Sequence, residues 1–268
     1  MVPLLFCKAP KKIISVRGML HPAALSQKKI KKTAFLSLWK FFDWHRRGIF
    51  HATDEIEQLY IQKCFGDEVV VHIAGNYSRA FSQKSPVKKV GAIKLSTIAL
   101  ISPMKSHLLI LQALAQAPAL IEYNIYGPVK DMQYWQQCLE EMKELPVNIA
   151  VQYHGEIEPN KIEQALHESH VFILPSKSEN FGHAIFEAFT AGKPVITSLS
   201  TPWQNLEENH AGINVSLDNQ SIADAILHFS EMDNETYKQW SDGAVKYANE
   251  FLNEALLGKQ YAEMFGKE

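Results

Sequence analysis

The most constraining feature of this sequence is the alternation of short, apolar, β-branched runs with stretches of helical periodicity. Eight such runs predict strands, and they lie at residues 12–16, 48–53, 68–73, 96–102, 121–127, 148–155, 170–176 and 193–198. Apolar residues recur three and four positions apart in the stretches that predict helices, at residues 104–116, 130–144, 159–169, 182–191, 219–230 and 234–265. Strands buried on both faces and separated by helices are typical of an α/β protein with doubly wound parallel sheets.

A polar segment at residues 75–89 interrupts this pattern. It contains Gly75, three serines and Pro86 and has no clear period, so it predicts a linker between two domains. Residues 86–245 hold enough strand–helix units for one complete Rossmann-like domain. Residues 1–85 amount to roughly half of a typical ~150-residue α/β domain, so we expect a partial first domain.

Composition excludes several classes of protein. The formal net charge is −2 and 46% of the residues are hydrophobic, which is ordinary for a globular protein and gives no overall attraction to nucleic acid. The three cysteines form no CxxC pair and predict a reducing compartment without a disulfide framework. No apolar run approaches the ~18 residues that span a bilayer, and residues 1–12 do not have the pattern of a secretory signal. We therefore expect a cytoplasmic protein.

Residues 28–47 differ from the rest of the chain because they combine seven lysines and arginines with several aromatic and aliphatic side chains against a single acid, Asp43. The favoured interpretation is an amphipathic helix that packs on the partial first domain and leaves a basic face in solvent. The alternative is a helix at the membrane surface, near a lipid-linked acceptor, which would place the protein peripherally at the inner face of the membrane.

The segment SENFGHAIFEAFTAGKP, residues 178–194, contains two acids that need an explanation. Glu187 lies in an apolar helix, where a carboxylate loses hydration and needs a partner or a task. Gly182 opens that helix, and a helix N-terminus suits a phosphate. Lys105, in the loop after another strand, would add positive charge, and Glu179 would reach the other end of the ligand. A phosphate between hydroxyl-rich sugars describes a nucleotide-sugar, whereas in the alternative interpretation both acids are structural.

The longer segment LPSKSENFGHAIFEAFTAGKPVITS resembles the donor-site signature of the retaining GT-B glycosyltransferases of family 4, also called group 1. The E-x7-E pattern of that family is matched by Glu179 and Glu187. Further similar segments follow in the family's order, namely ISPMKSHLLILQAL, YNIYGPVKDMQYW, QYHGEIEPNKIEQAL and TPWQNLEENHAGI. The resemblance implies a GT-B fold and a terminal helix, here residues 246–268, that returns towards the first domain. The implied reaction moves a sugar from a nucleoside diphosphate donor to a saccharide or lipid-linked acceptor, in surface polysaccharide or lipopolysaccharide synthesis.

The resemblance also implies roles for particular residues. Lys105 and Glu179 would act in catalysis, through the leaving diphosphate and the donor sugar. Donor binding is assigned to a larger set of residues, namely Glu187, Asn180, Phe181, Gly182, His183, Gly127, Gly155, Glu156 and Ile157. Arg17 and Gly18 lie where the family often places a histidine-glycine pair on the acceptor side. Neither a cofactor nor a metal is expected, and His167 with His170 is a weak metal candidate because no third ligand stands nearby.

Two departures from the family leave other functions open. Leu100 occupies the position of a phosphate-binding arginine, five residues before Lys105, and no segment within residues 1–20 matches the first strand and glycine-rich loop of the family. The alternatives are a non-catalytic nucleotide-sugar-binding module and a GT-B sugar-nucleotide epimerase. Trp203 is predicted to start a helix against the core.

Overall fold

The computed structural model describes residues 8–9, 11–26, 29–76, 79–251 and 254–266. The chain forms two compact units, Met1–Tyr77 with Asn253–Glu268 and Ser78–Leu252. The sequence predicts the divisions several residues away, at 85/86 and 245/246. Each unit has its own parallel sheet, and each is described by itself below.

The sheet of the first unit has three parallel strands in the order β1 (Ile13–Ser15), β2 (Ile49–Ala52) and β3 (Val71–Ile73). The helices of this unit are Pro22–Ser26, Lys29–Phe41, Glu55–Phe65 and Glu254–Phe265, with a 3₁₀ turn at Trp44–Arg47. Asp54 caps the third of them, since its side chain accepts a hydrogen bond of 2.7 Å from the amide of Glu57. A small core lies between sheet and helices and is built from Val16, Leu20, Phe50, Ala52 and Ile61.

The sheet of the second unit has six parallel strands. They are β4 (Ala92–Ile98), β5 (Leu120–Tyr126), β6 (Ile149–Tyr153), β7 (Val171–Leu174), β8 (Val195–Ser198) and β9 (Gly212–Val215). Their spatial order is β6-β5-β4-β7-β8-β9. The chain therefore runs outwards from β4 in one direction, returns to the other side of β4, and continues outwards from β7. Loops that leave β4 and β7 separate at this topological switch point, where open α/β sheets bind their ligands.

Helices cover both faces of the second sheet, and they are His107–Leu114, Met132–Lys143, Ile162–His167, His183–Thr190, Asn219–Ser230 and Asn234–Phe251. Alternate residues of β7 show the two layers: Val171 and Ile173 belong to one apolar cluster, whereas Phe172 and Leu174 belong to the other. The prediction of an α/β fold with doubly wound parallel sheets is confirmed.

Several boundaries differ from the prediction. Strand β4 occupies residues 92–98 rather than 96–102, because the apolar stretch after Ile98 leaves the sheet: Leu100 is exposed and Ile101 forms only an isolated bridge to Val129. Strand β9 is missing from the prediction, since Gly212 and Asn214 interrupt its apolar residues. Two helices, Asn234–Phe251 and Glu254–Phe265, occupy the stretch predicted as helical over 234–265.

Candidate functional site

Lys105 and Glu179 lie in the loops that follow β4 and β7, the two neighbouring strands at the switch point. Lys105 ends a 3₁₀ turn, Pro103–Lys105, so it lies before the helix and not within it, although the stretch predicted as helical begins at residue 104. Ser106 separates the two in a left-handed conformation, with φ of 59°, and the helix begins at His107. A residue in this conformation interrupts the right-handed helical backbone, so the lysine side chain is presented by the turn rather than by the helix.

An ion pair joins the two loops. The ammonium Nζ of Lys105 donates to Oε1 of Glu179, and the hydroxyl of Ser176 donates to the same oxygen at 2.6 Å. The side chains of Lys105 and Glu179 are only 19% and 11% exposed. A backbone hydrogen bond of 2.9 Å, from the amide of Lys177 to the carbonyl of Met104, holds the loops together as well. The charges of Lys105 and Glu179 thus compensate each other in the loops beside the switch point.

Gly182 stands at the N-cap of the helix His183–Thr190 with φ of 80°, a conformation that favours glycine. A Cβ there would lie 3.1 Å from Cδ1 of Ile185 and 3.3 Å from the indole nitrogen of Trp203. That indole N–H donates to the carbonyl of Phe181 at 2.5 Å. Trp203 is buried and belongs to no helix, so the prediction that it starts one is wrong. Its indole instead holds the loop before Gly182 in place. The loop thereby aims the positive end of the helix dipole outwards.

Glu187 is half-buried in the same helix, and burial raises the pKa of its carboxyl group. The positive charge of Arg79 lowers this pKa and opposes the effect of burial. Arg79 also donates from Nη1 to the carbonyl of Pro159, at 3.0 Å, just after the predicted base-binding segment. Sequence reasoning missed Arg79 because it lies in the segment interpreted as a linker. The charge of Arg79 therefore acts on the Glu187 carboxylate, while its guanidinium contacts the backbone two residues after that segment.

Gly127 and Gly155 follow β5 and β6 and are joined by a hydrogen bond of 2.7 Å from the amide of Gly127 to the carbonyl of Gly155. A Cβ on Gly127 would lie 1.9 Å from the carbonyl oxygen of Ala99, so only glycine fits there. Of the remaining residues predicted to bind the donor, Ile157 and Phe181 are half-buried and three are exposed, namely Glu156, Asn180 and His183. The second unit therefore brings its predicted residues to the carboxyl edge of one sheet.

Arg17 and Gly18 belong to the first unit and follow β1. Both have positive φ, 47° and 73°, and the Arg17 guanidinium donates to the side chain of Asn76 at 2.9 Å. The Gly18 amide donates to Oε1 of buried Glu57 at 2.5 Å. The second carboxylate oxygen of Glu57 accepts two bonds of 2.8 Å from Thr53. Glu57, which sequence reasoning did not single out, thus fixes the turn that carries Arg17.

The two histidines considered as metal ligands have structural partners. His167 bonds to the carbonyl of Ser82 at 2.7 Å, and Nδ1 of His170 accepts from the amide of Lys94 at 2.9 Å. Across residues 8–9, 11–26, 29–76, 79–251 and 254–266, no three histidine, cysteine or acidic side chains come together as a metal site would need. Over the same ranges, no helix is long and apolar enough to cross a membrane.

Two residues close to Lys105 in the sequence, His107 and Leu100, add no positive charge to its loop. His107 is fully buried, and burial together with the charge of Lys105 lowers the pKa of its imidazole to about 4. It is therefore neutral near pH 7 and adds no charge to that of the lysine. Leu100 has 41% of its surface exposed, so an arginine at this position could extend into solvent or towards a ligand without disturbing the core.

The fold is that of GT-B glycosyltransferases of known structure. Anabaena HepE in complex with UDP and glucose aligns with a TM-score of 0.76 at 19% identity, over 96% of this chain and 71% of that chain. Sucrose-phosphate synthase of Thermosynechococcus elongatus aligns with a TM-score of 0.71 at 16% identity, over 95% and 68%. The pneumococcal O-GlcNAc transferase GtfA, in complex with UDP and GlcNAc, aligns with 0.64 at 18% identity, over 85% and 46%.

The sequence itself shows the family. The profile of the glycosyl transferases group 1 matches residues 78–247, which include every residue of the second unit that is predicted to bind the donor or act in catalysis. This chain belongs to the glycosyl transferases group 1 family. A search of the curated proteins found no match.

Proposed function

We propose that this chain binds a nucleoside diphosphate sugar at the switch point of the second unit and transfers the sugar to a hydroxyl acceptor with retention of configuration, as in family 4. The observation that carries the proposal is the Lys105–Glu179 pair beside the helix that begins after Gly182. The cation and the helix N-terminus at this sheet edge match the negatively charged phosphate oxygens of such a donor. The acid beside them matches the hydroxyl groups of its sugar.

Lys105 and the helix N-terminus would hold the diphosphate. Both supply positive charge where negative charge grows as the diphosphate leaves, and this charge is worth more in a site that excludes water. Glu179 would accept hydrogen bonds from hydroxyls of the donor sugar, with the backbone of residues 180–182 beside it. Donor binding then requires Lys105 to exchange part of its contact with Glu179 for phosphate oxygens. The proposed reaction uses no cofactor and no metal.

Glu187 would accept hydrogen bonds from the ribose hydroxyls, as acidic residues do in dinucleotide-binding folds. The positive charge of Arg79 favours the ionised form of this carboxyl group and opposes the effect of burial. The nucleobase would lie against Gly155, Glu156 and Ile157. We propose uridine as the base, because HepE and GtfA are both described in complex with UDP.

In the reaction, the bond between the anomeric carbon and the diphosphate oxygen breaks. A bond from the acceptor oxygen forms on the same face of the sugar, and the hydroxyl proton of the acceptor passes to an oxygen of the departing diphosphate. Arg17 and Gly18 are proposed to act on the acceptor side. We propose a saccharide or lipid-linked acceptor and a role in surface polysaccharide or lipopolysaccharide synthesis, at the cytoplasmic side of the membrane.

Thermal stability against UDP, GDP, ADP and their sugars tests donor binding. A ligand that binds only the folded state stabilises it by about 2.7 kcal/mol at a hundredfold excess over its dissociation constant. We expect a selective shift with the uridine compounds, and a smaller shift in Glu187→Ala. Glu140→Ala, an exposed acid of the same unit, is the matched control and should shift as the wild type does. No shift with any nucleotide would contradict the proposal.

The two alternative functions are separated by product analysis. Leu100, in place of a phosphate-binding arginine, favours a binding module that holds the donor without transferring it. Release of UDP that depends on an added acceptor, with an anomeric configuration in the product that matches the donor, supports the transferase. Binding without turnover would support the module, and conversion of the donor sugar without acceptor would support an epimerase.

A further inference from the structure

The helix Lys29–Phe41 of the first unit has two apolar faces, and only one of them is packed. None of its thirteen residues is buried. On the packed side, Leu36 contacts the small core of the unit, and the ring of Trp39 lies 5.8 Å from that of Phe65. The expectation of a helix packed on the first unit accounts for this side. It does not account for the apolar residues on the other side.

The unpacked side carries large apolar residues in solvent. Ile30, Leu38 and Phe41 are 87%, 54% and 78% exposed. At about 100° per residue they fall within about 80° of one another, on the side of the helix away from Leu36 and Trp39. We call these three residues the exposed stripe. Such a stripe is costly in water and is typical of a surface that meets another apolar phase or a partner.

Cations stand at the margins of the exposed stripe. Around the helix axis, Lys31 lies on one side of the exposed stripe, and Lys29 and Lys40 lie on the other side. All three lysines are exposed. Beyond the helix, Phe42 and Trp44 stack with their ring centroids 5.1 Å apart, so the apolar character continues past the last turn.

Within the part of the chain that the structure describes, Arg46 is the only lysine or arginine of segment 29–47 that forms an ion pair. Nε of Arg46 lies 3.8 Å from Oδ1 of Asp43, and Nη2 of Arg46 lies 3.2 Å from Oε2 of Glu68, so this guanidinium is paired with two acids. Lys32 donates to the backbone carbonyl of Ala24 rather than to an acid. Segment 29–47 holds six cationic side chains and one acid, Asp43.

We propose that the exposed stripe and its flanking lysines form a docking surface for an anionic lipid bilayer. Apolar side chains along one face with lysines at the margins are the pattern of a helix that lies in the membrane interface. The lysines would remain at the level of the acidic headgroups while Ile30, Leu38 and Phe41 enter the acyl boundary. A nucleic acid would not bury this stripe, and a protein partner would have to cover large apolar side chains between uncompensated lysines. The proposal goes beyond donor binding and does not depend on it.

Vesicle sedimentation of the full chain tests the proposal, with vesicles of phosphatidylcholine alone and of phosphatidylcholine mixed with phosphatidylglycerol. We expect binding to the mixed vesicles that falls steeply as salt is added. A variant with Leu38→Ser and Phe41→Ser should lose about tenfold or more of this binding, because affinity scales with the buried apolar area. A variant with Lys31→Gln and Lys40→Gln should lose the preference for anionic vesicles.

The matched control changes exposed apolar residues of the second unit. Leu120→Ser and Val147→Ser, at positions 62% and 107% exposed, should leave vesicle binding unchanged. Circular dichroism and uridine nucleotide binding of all variants should match the wild type, since every changed side chain is exposed. Equal vesicle binding by the Leu38/Phe41 variant would overturn the proposal. Equal binding of the wild type to neutral and anionic vesicles would overturn it as well. A wild-type dimer in sedimentation velocity that is absent in the Leu38/Phe41 variant would also overturn it, since the stripe would then be a contact between two copies.

Discussion

Removal of the Lys105 ammonium should lower the free energy of unfolding by an amount that depends on how deeply the Lys105–Glu179 pair is buried. Lys105→Met keeps the length of the side chain and leaves Glu179, 11% exposed, with the hydroxyl of Ser176 on Oε1 but without its cation. Exposed pairs contribute ~0–1 kcal/mol, whereas breaking a fully buried pair costs ~3–5 kcal/mol. This pair is mostly but not fully buried, so we expect the free energy of unfolding to fall by about 2 kcal/mol.

Differential scanning calorimetry of the full chain measures this change. For a unit of this size, about 2 kcal/mol lowers the melting temperature by about 4–8 °C. Lys94→Met is the matched control in the same unit. Nζ of Lys94 lies 2.7 Å from Oε2 of Glu122, but the side chains of this pair are 41% and 46% exposed. We expect it to lower the melting temperature by less than about 4 °C, because solvent screens the pair.

The two variants also separate stability from binding. Lys105→Met should abolish most of the stabilisation by UDP while leaving that by uridine, whereas Lys94→Met should preserve both. Equal melting temperatures for the two variants would refute the burial argument. Equal losses for UDP and uridine in Lys105→Met would refute the phosphate role of the lysine, whatever its effect on stability.

Three further changes can be predicted from the structure. Leu100→Arg should tighten UDP binding about threefold to tenfold in calorimetric titration, because an exposed guanidinium beside the site adds a charge-assisted hydrogen bond; unchanged affinity would show that this position does not face the phosphates. Arg79→Ala should weaken UDP binding more at pH 5 than at pH 7, since the pKa of Glu187 rises further without the cation, and Arg79→Lys should restore binding; a loss independent of pH would argue against this coupling. Lys193 is buried and its pKa is lowered to about 7, against ~10.4 in the unfolded chain. Between these pH values the unfolded state binds more protons, so the stability of wild type relative to Lys193→Met should rise from pH 7 to pH 9 in urea unfolding; a constant difference would refute the lowered pKa.

Local sequence determined the elements and the chemistry of the loops. Every predicted strand is present, and the signal is clearest in β7 and β8, where a strand buried on both faces needs a continuous apolar run. Glu179, Gly182 and Glu187 were identifiable within one segment, since a loop followed by a helix fixes their spacing whatever surrounds them. The boundaries were less certain where apolar residues continue past a strand, as at Leu100, because only pairing with a neighbour decides where the strand ends.

The tertiary structure alone decided which of these residues meet. Lys105 and Glu179 are 74 positions apart, and they pair because the sheet order places β4 beside β7. The charge of Arg79 acts on Glu187 only because the second unit folds these distant segments together, and Trp203 holds the loop at Phe181 from another part of the chain. The exposed stripe is a further case, since the sequence shows apolar residues around the helix but not which side is packed. Periodicity is a local property that one segment carries, whereas contact between segments depends on the packing of all the others.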